Sequence, residues 1–177
     1  CGGCSLAGDV IQQADPGPNG LGGGFGATIR VGPTAAIDEA LAETGVHYLP
    51  EGRAWIVAVP EEWREPLKAA TDVALHPGID AGYTALFQTC PHLGCRVPEC
   101  VDTGQFECPC HGSHYGPLGE KRGGPAPRGM DRFVTRIEDG ELVVDTGNVI
   151  NGLPIGTDLG GVIEPGCIDL DELAPDE

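Results

Sequence analysis

No stretch of the 177 residues approaches eighteen consecutive apolar side chains, so nothing in the sequence reads as a membrane-spanning helix. Positive charge is scarce: 10 Lys and Arg stand against 27 Asp and Glu, a formal net charge of −17. A surface of that sign repels phosphates and excludes nucleic acid as a partner. Aromatic side chains are few, with 4 Phe, 3 Tyr and 2 Trp, whereas Gly (29) and Pro (16) are abundant. That balance favours many turns and short strands over long helices. The length suits one domain with a sizeable core. The chain opens on Cys1 rather than Met, so a processed or trimmed product is expected, its signal or anchor removed.

What the chain does have is concentrated between Cys90 and Tyr115. Cys-Pro-His-Leu-Gly-Cys (90–95) is followed, after twelve residues, by Cys-Pro-Cys-His-Gly-Ser-His-Tyr (108–115). Each stretch offers a Cys and a His at a fixed offset, Cys90 with His92 and Cys108 with His111, and one further cysteine, Cys95 or Cys110. Soft sulfur and borderline nitrogen donors converging from two tight turns are the supply a mixed-ligand metal centre needs. Zinc on a Cys2His2 set is one alternative, and a disulfide-only knot is another. Zinc loops, however, usually pair cysteine with cysteine, whereas both loops here are mixed. Cys90 with Cys108 on one iron, and His92 with His111 on the other, is the ligand set of a Rieske [2Fe–2S] centre.

The sequence resembles the Rieske iron–sulfur protein of quinol–cytochrome c oxidoreductases, the cytochrome bc and bf complexes. The pattern C-x-H-x-G-C … C-x-C-H-x-S is met at Cys90, His92, Gly94 and Cys95, then at Cys108, Cys110, His111 and Ser113. Gly124-Pro125-Ala126-Pro127 matches the family's Pro loop, which covers the cluster from a third side. The likeness is strong over about 27–146 and weak outside it. It implies an all-β fold, an antiparallel base domain with an inserted cluster-binding subdomain at about 88–130. It also implies a disulfide between Cys95 and Cys110, which would fix the ligand geometry and places the protein in an oxidising compartment. The expected location is therefore the extracytoplasmic face of an energy-transducing membrane, with an anchor preceding Cys1.

By the same resemblance, Ser113 and Tyr115 donate hydrogen bonds to cluster sulfurs. Such donors stabilise the reduced centre and place its potential in the upper half of the roughly −150 to +300 mV Rieske range. Exposed charge is screened beyond about 8–10 Å, so the −17 opposes this only weakly. His111, with His92 as the other candidate, would contact quinol and keep its proton while the cluster takes one electron. The domain would then swing from the cytochrome b subunit to a c-type cytochrome. Leu93 and the Pro loop supply an apolar rim, and Pro91 replaces a residue that is commonly Thr in the family, removing one backbone donor. The rivals are a low-potential Rieske ferredoxin or oxygenase domain, and the Rieske subunit of a periplasmic oxidase such as arsenite oxidase. Cys95, Cys110, Ser113 and the Pro loop speak against the first, and the Pro loop and hinge against the second. A basic electron acceptor, a saline or acidic milieu, or simple solubility would each account for the acidity.

Around this centre the chain divides into 1–26, a Gly-rich neck or hinge; 27–147, the Rieske domain; and 148–177, an acidic tail. Thr28–Val31 is expected as an edge strand, Thr34–Thr44 as a short helix capped by Thr34 and stopped at Gly45, and Ala54–Val59 as a core strand. Glu61–Leu75 carries helical spacing at Trp63, Leu67, Ala70 and Val73. Tyr83–Thr89 is expected as a strand, and Arg132–Asp145 as a hairpin turning at Asp139-Gly140. His47 and His76 read as surface or turn residues, and His114 is unassigned. Cys1, Cys4, Cys100 and Cys167 are left over. A Cys100–Cys167 bridge would pin a tail whose acidic run otherwise reads as solvated, but sequence leaves the connectivity open.

Overall fold

The computed structural model describes residues 25–159 and Cys167. The neck expected over 1–26 therefore lies outside the described residues, apart from Phe25 and Gly26. Those two pack on the domain: Phe25 stacks on Phe87 at 5.4 Å, and the Gly26 amide donates to Thr146 Oγ1.

Two antiparallel sheets make up the fold. The base sheet has β1 (Thr28–Pro33), β2 (Val46–Leu49), β3 (Ala54–Ala58), β4 (Tyr83–Phe87), β9 (Arg132–Glu138) and β10 (Glu141–Ile150), in the order β1-β10-β9-β4-β3-β2. Inserted between β4 and β9 is a four-stranded sheet in the order β5-β6-β7-β8. Its strands are β5 (Glu99–Cys100), β6 (Gln105–Cys108), β7 (Ser113–Tyr115) and β8 (Lys121–Gly123). This is the expected all-β architecture, a base with an inserted subdomain.

Strand alternation explains why the base sheet is covered on both faces. Ala54 and Ile56 of β3 join one apolar cluster with Ile29, Ile37, Leu41, Ala85, Phe133 and Val144. The intervening Trp55 and Val57 join the other, with Leu67, Ile79, Leu86, Phe106, Tyr115 and Met130. The second cluster also contains Cys90 and Cys108, so the inserted subdomain grows out of the core itself. The β9–β10 hairpin turns at Asp139 and Gly140, both at positive φ (52° and 78°), the conformation a two-residue turn of matching twist requires.

The helices depart from expectation in three places. Helix α1 (Thr34–Thr44) ends at Gly45, whose amide bonds Leu41 O. Its N-cap position, however, is Pro33, with Thr34 the first helical residue and no side-chain cap. The segment expected as one helix over 61–75 is α2 (Glu61–Ala70), a 3-10 turn (Val73–Leu75) and α3 (His76–Ala81). Pro66 removes a helical donor, Thr71 turns extended, and Asp72 caps the new turn by accepting from the Ala74 amide. Val73, expected on the apolar face, is 73% exposed. His47 lies within β2 rather than in a turn, and a His76 ring nitrogen sits 3.1 Å from Lys68 O.

The tail also begins differently. β10 continues past residue 147 to Ile150. Leu153 and Leu159 are buried in the core that holds Cys90 and Cys108, and the Gly152 amide donates to Asp131 Oδ1. Cys167 is bridged to Cys100. Leu153 and Leu159 thus anchor the first part of the tail, several other residues of 148–159 are exposed, and the acidic run at 169–177 lies outside the described residues.

Candidate metal centre

Local backbone chemistry shapes each loop. In the first, the Cys90 amide donates to Cys95 O and the Gly94 amide to Cys90 O, a tight turn that needs Gly94 at φ 85°. In the second, β6 and β7 form a hairpin in which Cys108 faces Ser113, closed by the Gly112 amide on Cys108 O. The Cys95–Cys110 disulfide ties the two loops together. The Gly124–Pro127 run lies on the second loop so closely that a Cβ at Gly124 would collide with Gly112 and Ser113 backbone. There the Ala126 amide donates to Ser113 Oγ at 3.1 Å, and the Ser113 hydroxyl also bonds the Tyr115 side chain.

Cys90 and Cys108 are the free cysteines among the described residues, and both are buried. The sulfurs of Cys95, Cys108 and Cys110 lie within 4.8 Å of one another, but two of them are spent in the disulfide, which leaves Cys108 as the ligating thiol of that group. Burial pushes the Cys108 thiol up, and neighbouring Cys90 adds to this, while the backbone amides of Cys110 and His111 act the other way. Tyr115 is fully buried with its hydroxyl 3.1 Å from Cys90 Sγ; burial, then that sulfur, push its phenol up. The rings of His92 and His111 meet edge to face at 4.9 Å. His111 is exposed and His92 half-buried, and Leu93 beside them is 71% exposed. Gly94, Pro125 and Pro127 are exposed around the same rim.

Cys90 with Cys108, and His92 with His111, therefore lie beside one another, the two thiols inside and the two imidazoles less buried. Thiols buried beside each other are poor acids until a cation takes their protons' place, so the donor set fits an iron–sulfur centre. The surface is equally segregated. Residues 88–130 carry four basic and four acidic side chains, so the whole net charge of −17 resides outside them. Loops 90–95, 108–116 and 123–127 have no Asp, Glu, Lys or Arg.

Two neighbouring groups went unread in the sequence. His114 is buried on β7 opposite Glu107, itself buried, whose Oε1 accepts the Cys167 amide. Arg132, at the start of β9, is wholly buried. A charge at the head of a strand normally signals a surface position, and no pattern marked this one.

A fold of this kind around two thiols and two imidazoles defines an iron–sulfur protein. Residues 54–143, half of the chain, match the model of the Rieske [2Fe-2S] domain, and the chain belongs to that family; its cofactor is a Rieske [2Fe–2S] cluster. Among relatives, the cytochrome b6-f complex iron-sulfur subunit of Synechococcus sp. (strain JA-2-3B'a(2-13)) is 42% identical over 87 residues, covering 42% of this chain and 50% of that protein. The mitochondrial Rieske subunit of the cytochrome b-c1 complex of Neurospora crassa is 29% identical over 175 residues, covering 77% and 76%. A crystal structure of the plasma membrane Rieske protein PetC3 from Synechocystis PCC 6803 aligns at a TM-score of 0.44 and 24% identity, over 66% of this chain and 97% of that one. The chain spans half or less of the length of the first relatives it matches.

Proposed function

We propose that this chain is the high-potential electron-transfer subunit of a quinol–cytochrome c oxidoreductase, working at the extracytoplasmic face of a membrane. The observation that carries this reading is the site's layout: buried Cys90 and Cys108, His92 and His111 at the rim, and the Cys95–Cys110 disulfide and Pro loop closing around them. Cys90 and Cys108 would hold one iron of the cluster, and His92 and His111 the other. When bound, the cluster supplies reversible one-electron chemistry.

The chain's own residues supply the rest. The outer ring nitrogen of His111, the more exposed of the two imidazoles, accepts a hydrogen bond from quinol and holds the proton; His92 is the second candidate. Leu93, Gly94, Pro125 and Pro127 form an uncharged rim that excludes water and seats on the cytochrome b subunit. Tyr115 places its hydroxyl against Cys90 Sγ, and Ser113, bonded to the Tyr115 side chain, would be the second hydroxyl near the cluster; both would favour the reduced state. A c-type cytochrome takes the electron. The relatives named as cytochrome b6-f and b-c1 subunits support the choice of complex.

A redox titration followed by EPR, repeated from pH 6 to 10, tests this reading. Ascorbate should suffice to reduce the cluster, and the potential should fall as pH rises above neutrality. Reduction by dithionite alone, with no pH dependence over that range, would return the protein to the ferredoxin or oxygenase class.

A further inference from the structure

Arg132 has no exposed surface, yet it is not the partner of a surface acid. Its Nη1 donates to Thr84 Oγ1 on β4 at 2.9 Å and its Nη2 to the carbonyl of Leu118, while Nε has no partner among the described residues. Leu118 belongs to the turn between β7 and β8. The same turn carries Glu120, 1% exposed, whose Oε1 accepts from Arg122 and whose Oε2 has no partner among the described residues. Arg122 in turn reaches Asp158 at 3.3 Å. Glu120, Arg122 and Asp158 thus form a short run of alternating charge from the subdomain turn to the tail.

Burying a guanidinium with an unpaired nitrogen is costly, and an apolar residue of the same volume would commonly serve stability as well or better. What this arginine adds is direction. The turn it grips is fastened at three successive carbonyls: Leu118 O by Arg132, Gly119 O by the Met130 amide, and Glu120 O by the Gly116 amide. Gly119, at φ 76°, lies so close to Leu86 of β4 that a Cβ there would meet its Cδ2 at 2.8 Å. Tyr115, whose hydroxyl stands against Cys90 Sγ, is the residue immediately before this turn.

We infer that Arg132 is a positioning residue: by clamping the 116–120 turn to β4, it sets Tyr115 against Cys90 and thereby tunes the centre. This rests on the reading that Cys90 is a cluster ligand and Tyr115 its donor. The clamp itself is a property of the polypeptide.

Arg132→Met conserves volume and removes the clamp. In the apo-protein, amides of 116–120 should exchange with solvent at least tenfold faster, while those of the β9–β10 hairpin keep their protection. In the loaded protein the midpoint potential should fall in the direction of Tyr115→Phe, and the double variant should fall no further than Tyr115→Phe alone. Unchanged exchange in 116–120, or a uniform loss of protection, overturns the clamp; additive shifts in the double variant overturn its action through Tyr115. If Arg132→Met does not fold, Thr84→Val, which removes the β4 end of the same clamp, should show the same two signs at smaller size, and neither sign appearing sinks the proposal. Faster exchange with a potential that moves in neither Arg132→Met nor Tyr115→Phe would support the clamp and refute the donor role of Tyr115. A Cys90→Ser variant that keeps a full Rieske spectrum would refute the ligand reading alone.

Discussion

β3 and β4 of the base pair over five consecutive residues, and Ile, Leu, Val and Phe fill both faces of their sheet. The inserted sheet has strands of two to four residues and buries Gln105, Glu107, His114 and Glu120 among its apolar groups. It is fastened by two disulfides, by glycines at positive φ (Gly94, Gly112, Gly119, Gly124) and by backbone amides aimed at particular carbonyls. The base gains its stability from area, which is tolerant of detail; the subdomain gains its shape from a few directional ties, each of which matters to where a sulfur or ring nitrogen lies. Damage to one should therefore look different from damage to the other.

The largest separation is expected from Cys90→Ser or Cys108→Ser. Either should abolish the Rieske EPR signal and the bound iron, while far-ultraviolet circular dichroism of the base remains; retention of a normal cluster would remove that residue from the ligand set. Phe133→Ala should do the reverse. It empties a fully buried site in the base core and should cost about 3–5 kcal/mol in denaturant unfolding, with the midpoint potential unmoved at temperatures where the protein stays folded. A potential that shifts with Phe133 would show that the two regions are not separable.

Replacing both Cys95 and Cys110 by Ala sharpens the contrast further. The bridge closes a loop of 15 residues, whose release is worth about 3 kcal/mol in the chain-entropy account. The loss should appear as faster release of cluster iron to a chelator, measured by absorbance, before any change in the base. The smallest effect concerns Tyr83 of β4, whose hydroxyl bonds Asp38 Oδ1 of α1. Burial first, then this bond, push its phenol up to about 12 from 10.0. Because the folded value is the higher one, its contribution is present below about pH 10 and is lost as pH rises through 12. Tyr83→Phe should flatten that part of the stability–pH curve, and equal alkaline sensitivity in both proteins would remove the linkage.

These differences also explain what could be read in advance. The base strands announced themselves: the apolar run at 54–59 and the Asp139-Gly140 turn are periodic or local signals, and β3 and the β9–β10 hairpin lie where those signals put them. The short strands β5 to β8 carry no such period, because their faces are polar, buried and interrupted by turns. The site's residues were nevertheless easy to single out, since ligand chemistry constrains residue type and spacing more tightly than any strand does; Cys90 and Cys108 are both buried free thiols, and the rings of His92 and His111 meet. Arg132 was illegible for the opposite reason. Its role depends on a turn fourteen residues away in sequence, and charge at a strand's first residue carries no mark of burial. The anchoring of the tail's first part was hard to see in a similar way, because Leu153 and Leu159 are only two side chains in an acidic stretch.

The two disulfides are not nested but crossed, since their cysteines alternate along the chain as 95, 100, 110 and 167 with Cys95 bound to Cys110 and Cys100 to Cys167. A single peptide-bond cut anywhere from Cys95 to Cys167 therefore leaves one covalent molecule. A protease working on the exposed loops around the site would nick the chain without freeing a fragment, and the mass on a non-reducing gel would not fall until reductant was added.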